Sequence, residues 1–370
     1  MSGIDPGALR VAVVSDARPE RNGVGTYYND LIEHLEPLGV RFELYYPGGS
    51  VPEWLNLPLI GDNTQRAALP SPRQLARRLR AFAPTCVITP TPGPYGMLGA
   101  YLGRRLGARV LVTFHTDYHR MMDLYYGRLM RIVTHGYFHF SNRVLFRYGS
   151  LVLANSERVA EAARKLGADE VQLMGTLIAR AFLERPMAPP RERMEHVLYA
   201  GRLAAEKNVG AVLEAARALP DLRFSIAGDG PEREPVLRAA ASLANVEYLG
   251  WLERGDALAA MDDHDLLVLP SSVESFGTVA LEAMARGRAV LVSPGCGIVE
   301  WPDLRPGVFV MTPEEPLHEA IARLRAMTAD ARAEVVGKGR AAASALNDRS
   351  LEHWLSLLGG SCPEVSGAPA

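Results

Sequence analysis

Along the chain, short apolar runs cut off by Gly, Pro or polar clusters alternate with longer stretches whose apolar residues recur every three or four positions. Residues 10–15, 40–46, 85–88, 109–114, 151–154 and 171–174 read as one set of strands, and 196–200, 224–227, 246–249 and 266–269 as a second. Runs that are apolar on both faces suit parallel strands covered on both sides. Between them, 23–38, 72–82 and 128–147 read as helices, and helices over 314–327, 329–345 and 349–358 end the fold. In 72–82, Pro72 suits the first turn, Leu75, Leu79 and Phe82 share an inward stripe, and Arg73, Arg77 and Arg80 face outward with Arg78 nearby. In 128–147, Tyr137, Phe138, Phe140, Val144 and Phe146 are expected in the core, with an acceptor groove as the alternative. The Pro-, Gly- and Asn-rich stretch up to Pro70 reads as a loop.

Two successive series of alternating strand and helix define an α/β chain with two parallel sheets. The polar, Pro-rich segment 184–195 reads as a linker. It separates a first domain, 1–183, from a second, 196–345; a last helix, 346–359, is expected to pack back on the first domain, and 360–370 to be disordered.

The polar residues that matter stand where these runs end. Leu266 to Leu269 is stopped by Pro270, and a helix is expected from about Phe276, through Gly277 and Thr278, apolar nearly all round but for Glu282. A carboxylate in such a helix is costly unless something hydrogen-bonds it. Glu274 lies in the preceding loop, and Glu282 roughly 9 Å beyond the helix start. Between them lie the first free N–H groups of the helix, which favour an anion. Two carboxylates able to hold hydroxyls on either side of an anion site suit a sugar nucleotide. After the strand at 196–200, Gly201 to Asn208 delivers Arg202 and Lys207 to another helix start. Arg grips a phosphate bidentately and Lys acts as a mobile point charge. Strand 10–15 is followed by Asn22-Gly23-Val24-Gly25, a glycine turn without the dinucleotide fingerprint. His115 follows a strand, where ligands of open α/β sheets bind. Asp262-Asp263-His264-Asp265 are consecutive and lack the separated ligands of a typical metal site.

Composition narrows the picture. The 370 residues are 48% hydrophobic and 22% charged, and a net charge of −2 argues against a nucleic-acid partner. Cys86, Cys296 and Cys362 lie far apart, as in a reduced, cytoplasmic protein. No apolar stretch approaches the ~18 residues of a membrane span, and the start lacks a signal-peptide core. The charge is unevenly placed: residues 63–116 hold eight arginines and no Asp or Glu. That stretch suits either a solvated face or contact with anionic lipid headgroups, placing the protein in the cytoplasm or peripherally on the inner face of the cell membrane.

Glu274-x7-Glu282, with Phe-Gly after the first Glu and Ala-Met-Ala after the second, resembles the retaining GT-B glycosyltransferases of the family-4 type, and Arg202 and Lys207 match that family's diphosphate-binding pair. The resemblance runs from Val11 to about Leu358. It implies a GT-B fold of two Rossmann-like domains with a cleft between them, a UDP- or GDP-sugar donor and no cofactor or metal. It also implies a reaction that moves a hexose to a hydroxyl acceptor with retention. In that frame Glu274 holds the transferred sugar, Glu282 the ribose, and Gly23 faces the diphosphate, while Gly201, Gly228 and Trp251 fall in donor-binding loops. Thr-Phe-His115-Thr-Asp117, followed by Tyr118 and then Tyr125-Tyr126-Gly127, is similar to members that act on lipid acceptors, in some of which a basic helix contacts the membrane. Two positions depart from the family: Met174 to Ala179 replaces its Pro-Asn-Gly-Val-Asp, and Cys296 its first Gly before Ile298. A sugar-nucleotide epimerase, a phosphorylase and a catalytically silent carbohydrate-binding protein are the rival readings.

Overall fold

Successive side chains of a strand point to opposite faces, so a run that is apolar throughout must be covered twice. The computed structural model, which describes residues 5–19, 23–59, 62–115, 127–188 and 193–360, shows this in two separate units. Of the described residues, one comprises those up to Leu177 and those from Asn347 to Gly360; the other is Ile178–Leu346.

In the first unit β1 (Arg10–Val14), β2 (Arg41–Tyr45), β5 (Cys86–Thr89), β6 (Arg109–Phe114), β7 (Leu151–Ala154) and β8 (Val171–Leu173) form a parallel sheet in the order β2-β1-β5-β6-β7-β8. Val11 and Val13 pack with Tyr27, Tyr28 and Leu31 of α1 (Gly23–Leu35) and with Trp354. Ala12 and Val14 pack on the opposite side, with Leu75 of α2 (Pro72–Phe82), Ala100 of α3 (Pro94–Arg105), Leu145 of α4 (Arg128–Tyr148) and Ala160 of α5 (Glu157–Lys165). The order reverses between β1 and β5, which makes their C-terminal ends a topological switch point.

The second unit repeats the plan. β9 (His196–Ala200), β10 (Arg223–Ala227), β11 (Val246–Gly250), β12 (Leu266–Leu269), β13 (Ala289–Val292) and β14 (Phe309–Val310) are parallel in the order β11-β10-β9-β12-β13-β14, with the switch between β9 and β12. Its helices are α6 (Arg180–Glu184), α7 (Val209–Ala218), α8 (Arg233–Ser242), α9 (Arg254–Asp263), α10 (Thr278–Ala285), α11 (Leu317–Ala326) and the first part of α12 (Ala329–Leu358).

Four expectations need correction. Residues 47–70 are not a loop: β3 (Glu53–Leu59) and β4 (Asp62–Pro70) form an antiparallel hairpin apart from the main sheet. The alternation of Leu55, Leu57 and Leu59 was masked by Pro52 and Pro58, and a two-stranded ribbon, being all edge, tolerates proline. The helices expected at 329–345 and 349–358 are one continuous α12, since no Gly or Pro interrupts 346–349. The boundary falls at 177/178 rather than 183/184. Arg286, fully buried, explains this, because it donates to the carbonyls of Phe182, Arg185 and Pro186 and so ties that segment to the second unit. Finally, α4 does not bury its aromatic stripe: Phe146 packs edge-on against Phe114, but Phe140 is 62% exposed and Tyr137 is exposed too.

Candidate functional site

Six loops follow the strand ends of the second unit, and those after β9, β12 and β13 are bonded into one cluster. Tyr199 turns the chain after β9 by donating its hydroxyl to the Arg202 carbonyl at 2.8 Å. Buried Glu206 then accepts at its carbonyl from Ser272 N (2.8 Å) and Val273 N, joining the loop after β9 to the loop after β12. The second loop is fixed from its other side, where Glu274 N donates to Gly295 O and Gly297 N to Glu274 O at 2.9 Å. Between the two loops Lys207 Nζ meets Glu274 Oε2 at 2.5 Å, with both side chains about four-fifths buried. Burial alone would lower the Lys207 pKa, but the carboxylates of Glu274 and Glu206 outweigh it and hold it above the ordinary lysine value. Arg202 lies 3.7 Å from Glu206 Oε1.

Helix α10 starts at Thr278 rather than near Phe276, because Gly277 takes the left-handed conformation and redirects the chain. The Phe276 side chain is buried edge-on against Trp301, and its carbonyl accepts from Ile298 N and Cys296 Sγ. The N-cap residue of α10, Gly277, has no side chain with which to cap the first N–H groups of the helix. Glu282 lies half-buried one turn along. Gly201 and Gly228 approach so closely that a Cβ on Gly228 would come within 1.8 Å of the Gly201 carbonyl oxygen. Trp251, just beyond β11, is 49% exposed, and nearby Tyr248 donates its hydroxyl to Gly228 O.

The first unit's strand ends differ. Asp16, at the end of β1, accepts from Thr91 Oγ1 (2.7 Å), Tyr95 N (2.9 Å) and Gly96 N (3.1 Å), so its carboxylate caps α3. Burial pushes the Asp16 pKa up to about 6, against the hydrogen bonds that favour its charge. His115, at the end of β6, is 7% exposed, and burial lowers its pKa to about 3, leaving a neutral imidazole at pH 7. Its Nε2 lies 3.1 Å from the hydroxyl of Tyr28, which also bonds Thr113 Oγ1 at 2.5 Å. Tyr27 stacks edge-on against the same imidazole, donates to Gly175 O and accepts from Trp354 Nε1. Through Trp354 the end of α12 returns to this unit, and a Cβ at Gly175 would meet Ser350 Oγ. Gly23 is the exposed first residue of α1 with open space around it; Gly25 makes the close approach, since a Cβ there would fall 2.1 Å from Arg18 O. Asp117 and Tyr118 lie outside the described residues.

Residues 21–174 match the model of Glycosyltransferase Family 4, and residues 184–340 that of Glycosyl transferases group 1. The chain belongs to the GT-B glycosyltransferases of the family-4 type. The chain is 28% identical to alpha-D-kanosaminyltransferase of Streptomyces kanamyceticus over 53% of its own length and 55% of that protein. It is 31% identical to the GDP-mannose-dependent alpha-(1-6)-phosphatidylinositol dimannoside mannosyltransferase of Mycobacterium tuberculosis over 40% of its own chain and 42% of that one. The glycosyltransferase thus spans about half the length of these relatives. Sucrose-phosphate synthase from Thermosynechococcus elongatus superposes with a TM-score of 0.71 at 18% identity, over 94% of this chain and 98% of that one. The Anabaena protein HepE in complex with UDP-glucose superposes at 0.69 and 16% identity, over 94% and 100%. Both likenesses concern the fold.

Within this glycosyltransferase, sequence reasoning singled out Arg202, Lys207, Glu274 and His115 but passed over Tyr199, Glu206, Asp16 and Tyr28. Glu206 carried a faint signal, as a carboxylate four residues after Arg202 on the same loop. The acidic run at 262–265 proves structural: Asp262 pairs with buried Arg286 at 2.6 Å and lies 3.7 Å from Arg288, while Asp265 accepts from Glu195 N and His196 N. Among the described residues no group of three or more His, Cys, Asp or Glu is placed to hold a metal ion. Arg73, Arg77, Arg78 and Arg80 are all exposed on α2, and no described helix is long and apolar enough to cross a membrane.

Proposed function

We propose that this glycosyltransferase moves a hexose from a UDP- or GDP-sugar to a hydroxyl acceptor with retention at the anomeric carbon and without a catalytic metal. The observation that carries the reading is the Lys207–Glu274 pair, held in the loops that lead to the start of α10, where Gly277 has no side chain to cap the helix. A cation and free helix N–H groups together suit a diphosphate that gains charge as it leaves. In this reading Arg202, Lys207, the start of α10 and the Gly23 turn stabilise the diphosphate, Glu282 holds the ribose and Glu274 the transferred sugar. Gly201, Gly228, Gly277, Thr278 and the Trp251 loop complete donor binding. The ion pair already present aims both groups before the donor arrives, so little reorganisation accompanies the reaction. The first unit contributes His115 as a neutral hydrogen-bonding group. Transfer proceeds by front-face displacement, the departing diphosphate assisting deprotonation of the acceptor.

The acceptor proposed is lipid-linked and met at an anionic membrane surface on the inner face of the cell membrane. The mycobacterial relative's action as a phosphatidylinositol dimannoside mannosyltransferase and the exposed arginines of α2 support this. The test is incubation with a panel of UDP- and GDP-sugars and a lipid extract, followed by mass and anomeric configuration of the product. A glycosylated lipid with the donor's configuration is expected. Free nucleotide with an altered sugar and no acceptor product would show an epimerase instead.

A further inference from the structure

Arg78 does not share the face of the other arginines of α2. It follows Leu75 by three residues and precedes Phe82 by four, so it stands on the flank of the inward stripe, whereas Arg73, Arg77 and Arg80 face outward. The strands beneath bring two more guanidinium groups to the same place. Arg10 of β1 and Arg41 of β2 are register partners in adjacent parallel strands. Residues two and four apart along a strand share a face, so both lie on the side that carries Ala12 and Tyr45 into the core under α2. Together with Glu43, Ala81 and Phe82, the three arginines line a cavity of about 410 Å³. That is the size of a small-molecule site, which runs from roughly 300 to 1,000 Å³.

The cavity gathers more positive charge than the chain balances. Its one carboxylate, Glu43, accepts from the Tyr45 hydroxyl, and among the described residues neither Arg41 nor Arg78 is paired with a carboxylate. Like charges side by side on neighbouring strands are unfavourable, and an anion between them removes that cost. Arg10 is aimed for the purpose: its Nε donates to Ala83 O at 2.7 Å, which leaves the two terminal nitrogens for an oxyanion. Ala83 presents that carbonyl from a left-handed conformation (φ 50°) at the end of α2. Guanidinium groups grip phosphate oxygens bidentately, and a dianionic phosphomonoester matches three cations set against one carboxylate. Phe82 and Ala81 give the group it is esterified to an apolar wall. We infer that this cavity is a second ligand site, taking a small soluble phosphomonoester whose ring lies against Phe82. Arg10 and Asp16 are six residues apart along β1 and its end, roughly 20 Å, so the site lies at the opposite edge of the sheet from Asp16 and His115. A cavity between α2 and the sheet, away from the outward arginine stripe, suits a soluble ester better than a bilayer headgroup.

Isothermal titration calorimetry of the full chain tests this, with UDP and GDP at saturation to fill the donor site and with phenyl phosphate and adenosine monophosphate as probes. At least one probe should bind saturably at about 1 mM or below, the upper range for small metabolites, and phenol and adenosine should not. Arg78→Ala should weaken binding about tenfold, the loss of one charge-assisted hydrogen bond, and Arg41→Glu by about tenfold or more. Glu43→Gln should tighten it about threefold, since it removes the one negative charge that faces the ligand. All three variants should keep the wild-type circular dichroism and nucleotide binding. Probe binding that is unchanged in both arginine variants puts the anion elsewhere and overturns the inference, as does the absence of saturable binding by either probe. If neither probe binds while vesicles containing phosphatidic acid retain the wild type and release Arg41→Glu, the cavity serves a lipid headgroup and the inference falls as well.

Discussion

Each unit has one topological switch point, and the two are filled differently. Between β1 and β5 the chain closes its own site: the Asp16 carboxylate takes the N–H groups of Tyr95 and Gly96 at the start of α3, where an external anion would otherwise bind. Between β9 and β12 the chain sets a cation and a carboxylate 2.5 Å apart and starts the following helix on Gly277, which has no side chain to cap it. Equivalent strand ends in the two parallel sheets thus carry opposite chemistry, one satisfied internally and one with capacity for a ligand. Topology locates the crevice; the few residues that cap or do not cap the next helix decide whether it takes an anion.

Charge removal from the second switch point should have the largest effect. Glu274→Gln and Lys207→Ala are each expected to cost on the order of 10²–10³ in kcat, the range for removing one preorganised electrostatic group. Lys207→Ala also strands a mostly buried carboxylate, so it should lower stability as well, by up to about 3–5 kcal/mol, whereas Glu274→Gln keeps the shape and a polar contact. Steady-state transfer kinetics with chemical denaturation on the same samples would separate the two effects. Full transfer activity in either variant would remove these residues from the donor site and dissolve the contrast between the units.

The first switch point should show itself in stability rather than in turnover. The Asp16 pKa is raised from 3.8 to about 6, so the folded protein holds a proton there that the unfolded chain has released. For a group raised in this way the contribution is fully present below about pH 4 and is lost as pH climbs through about 6. The loss amounts to roughly 3 kcal/mol at pH 7. Urea unfolding from pH 4 to pH 7 should show this fall in the wild type and not in Asp16→Asn. An identical fall in the variant would place its origin in another group.

How much of this was legible beforehand follows from where each signal lives. Runs such as Leu266 to Leu269 announce buried parallel strands because both faces are covered, and the two sheets were read from them. Arg202 and Lys207 stood out as cations in one loop, but the contact of Lys207 with Glu274 joins residues 67 apart, beyond any local pattern. Asp16 reads in sequence as an ordinary turn residue, since nothing local says that Tyr95 and Gly96 will arrive beside it. Periodicity misled in α4, because a three- and four-residue apolar stripe states that one face is apolar and not that anything covers it. Arg286 carries no local signal of its role: it follows a helix in sequence, yet it is fully buried among three carbonyls and Asp262.

The smallest expected effect bears on what the neutral side of the comparison contributes. The Tyr28 hydroxyl lies between Thr113 Oγ1 and His115 Nε2 and has one proton to give. A phenol is the stronger acid of the two hydroxyls and an imidazole nitrogen the strongest acceptor of the three groups. The proton therefore runs from Tyr28 to Nε2, Thr113 donates to Tyr28, and the ring proton of His115 sits on Nδ1. Tyr28 is then a positioning residue that fixes which face of the imidazole can donate. Tyr28→Phe keeps the ring that packs against Tyr27 and removes only this donor, at about 1 kcal/mol, the scale of a single hydrogen bond. The expected outcome is a kcat lowered about five- to tenfold with the donor KM nearly unchanged, together with a change in the ¹⁵N shifts of His115 that reports its tautomer. Since burial holds His115 near a pKa of 3, neither protein should show its imidazole titrating between pH 5 and 8. Unchanged ¹⁵N shifts with unchanged kcat would mean that Tyr28 only packs, and that the ring is oriented by its aromatic neighbours alone.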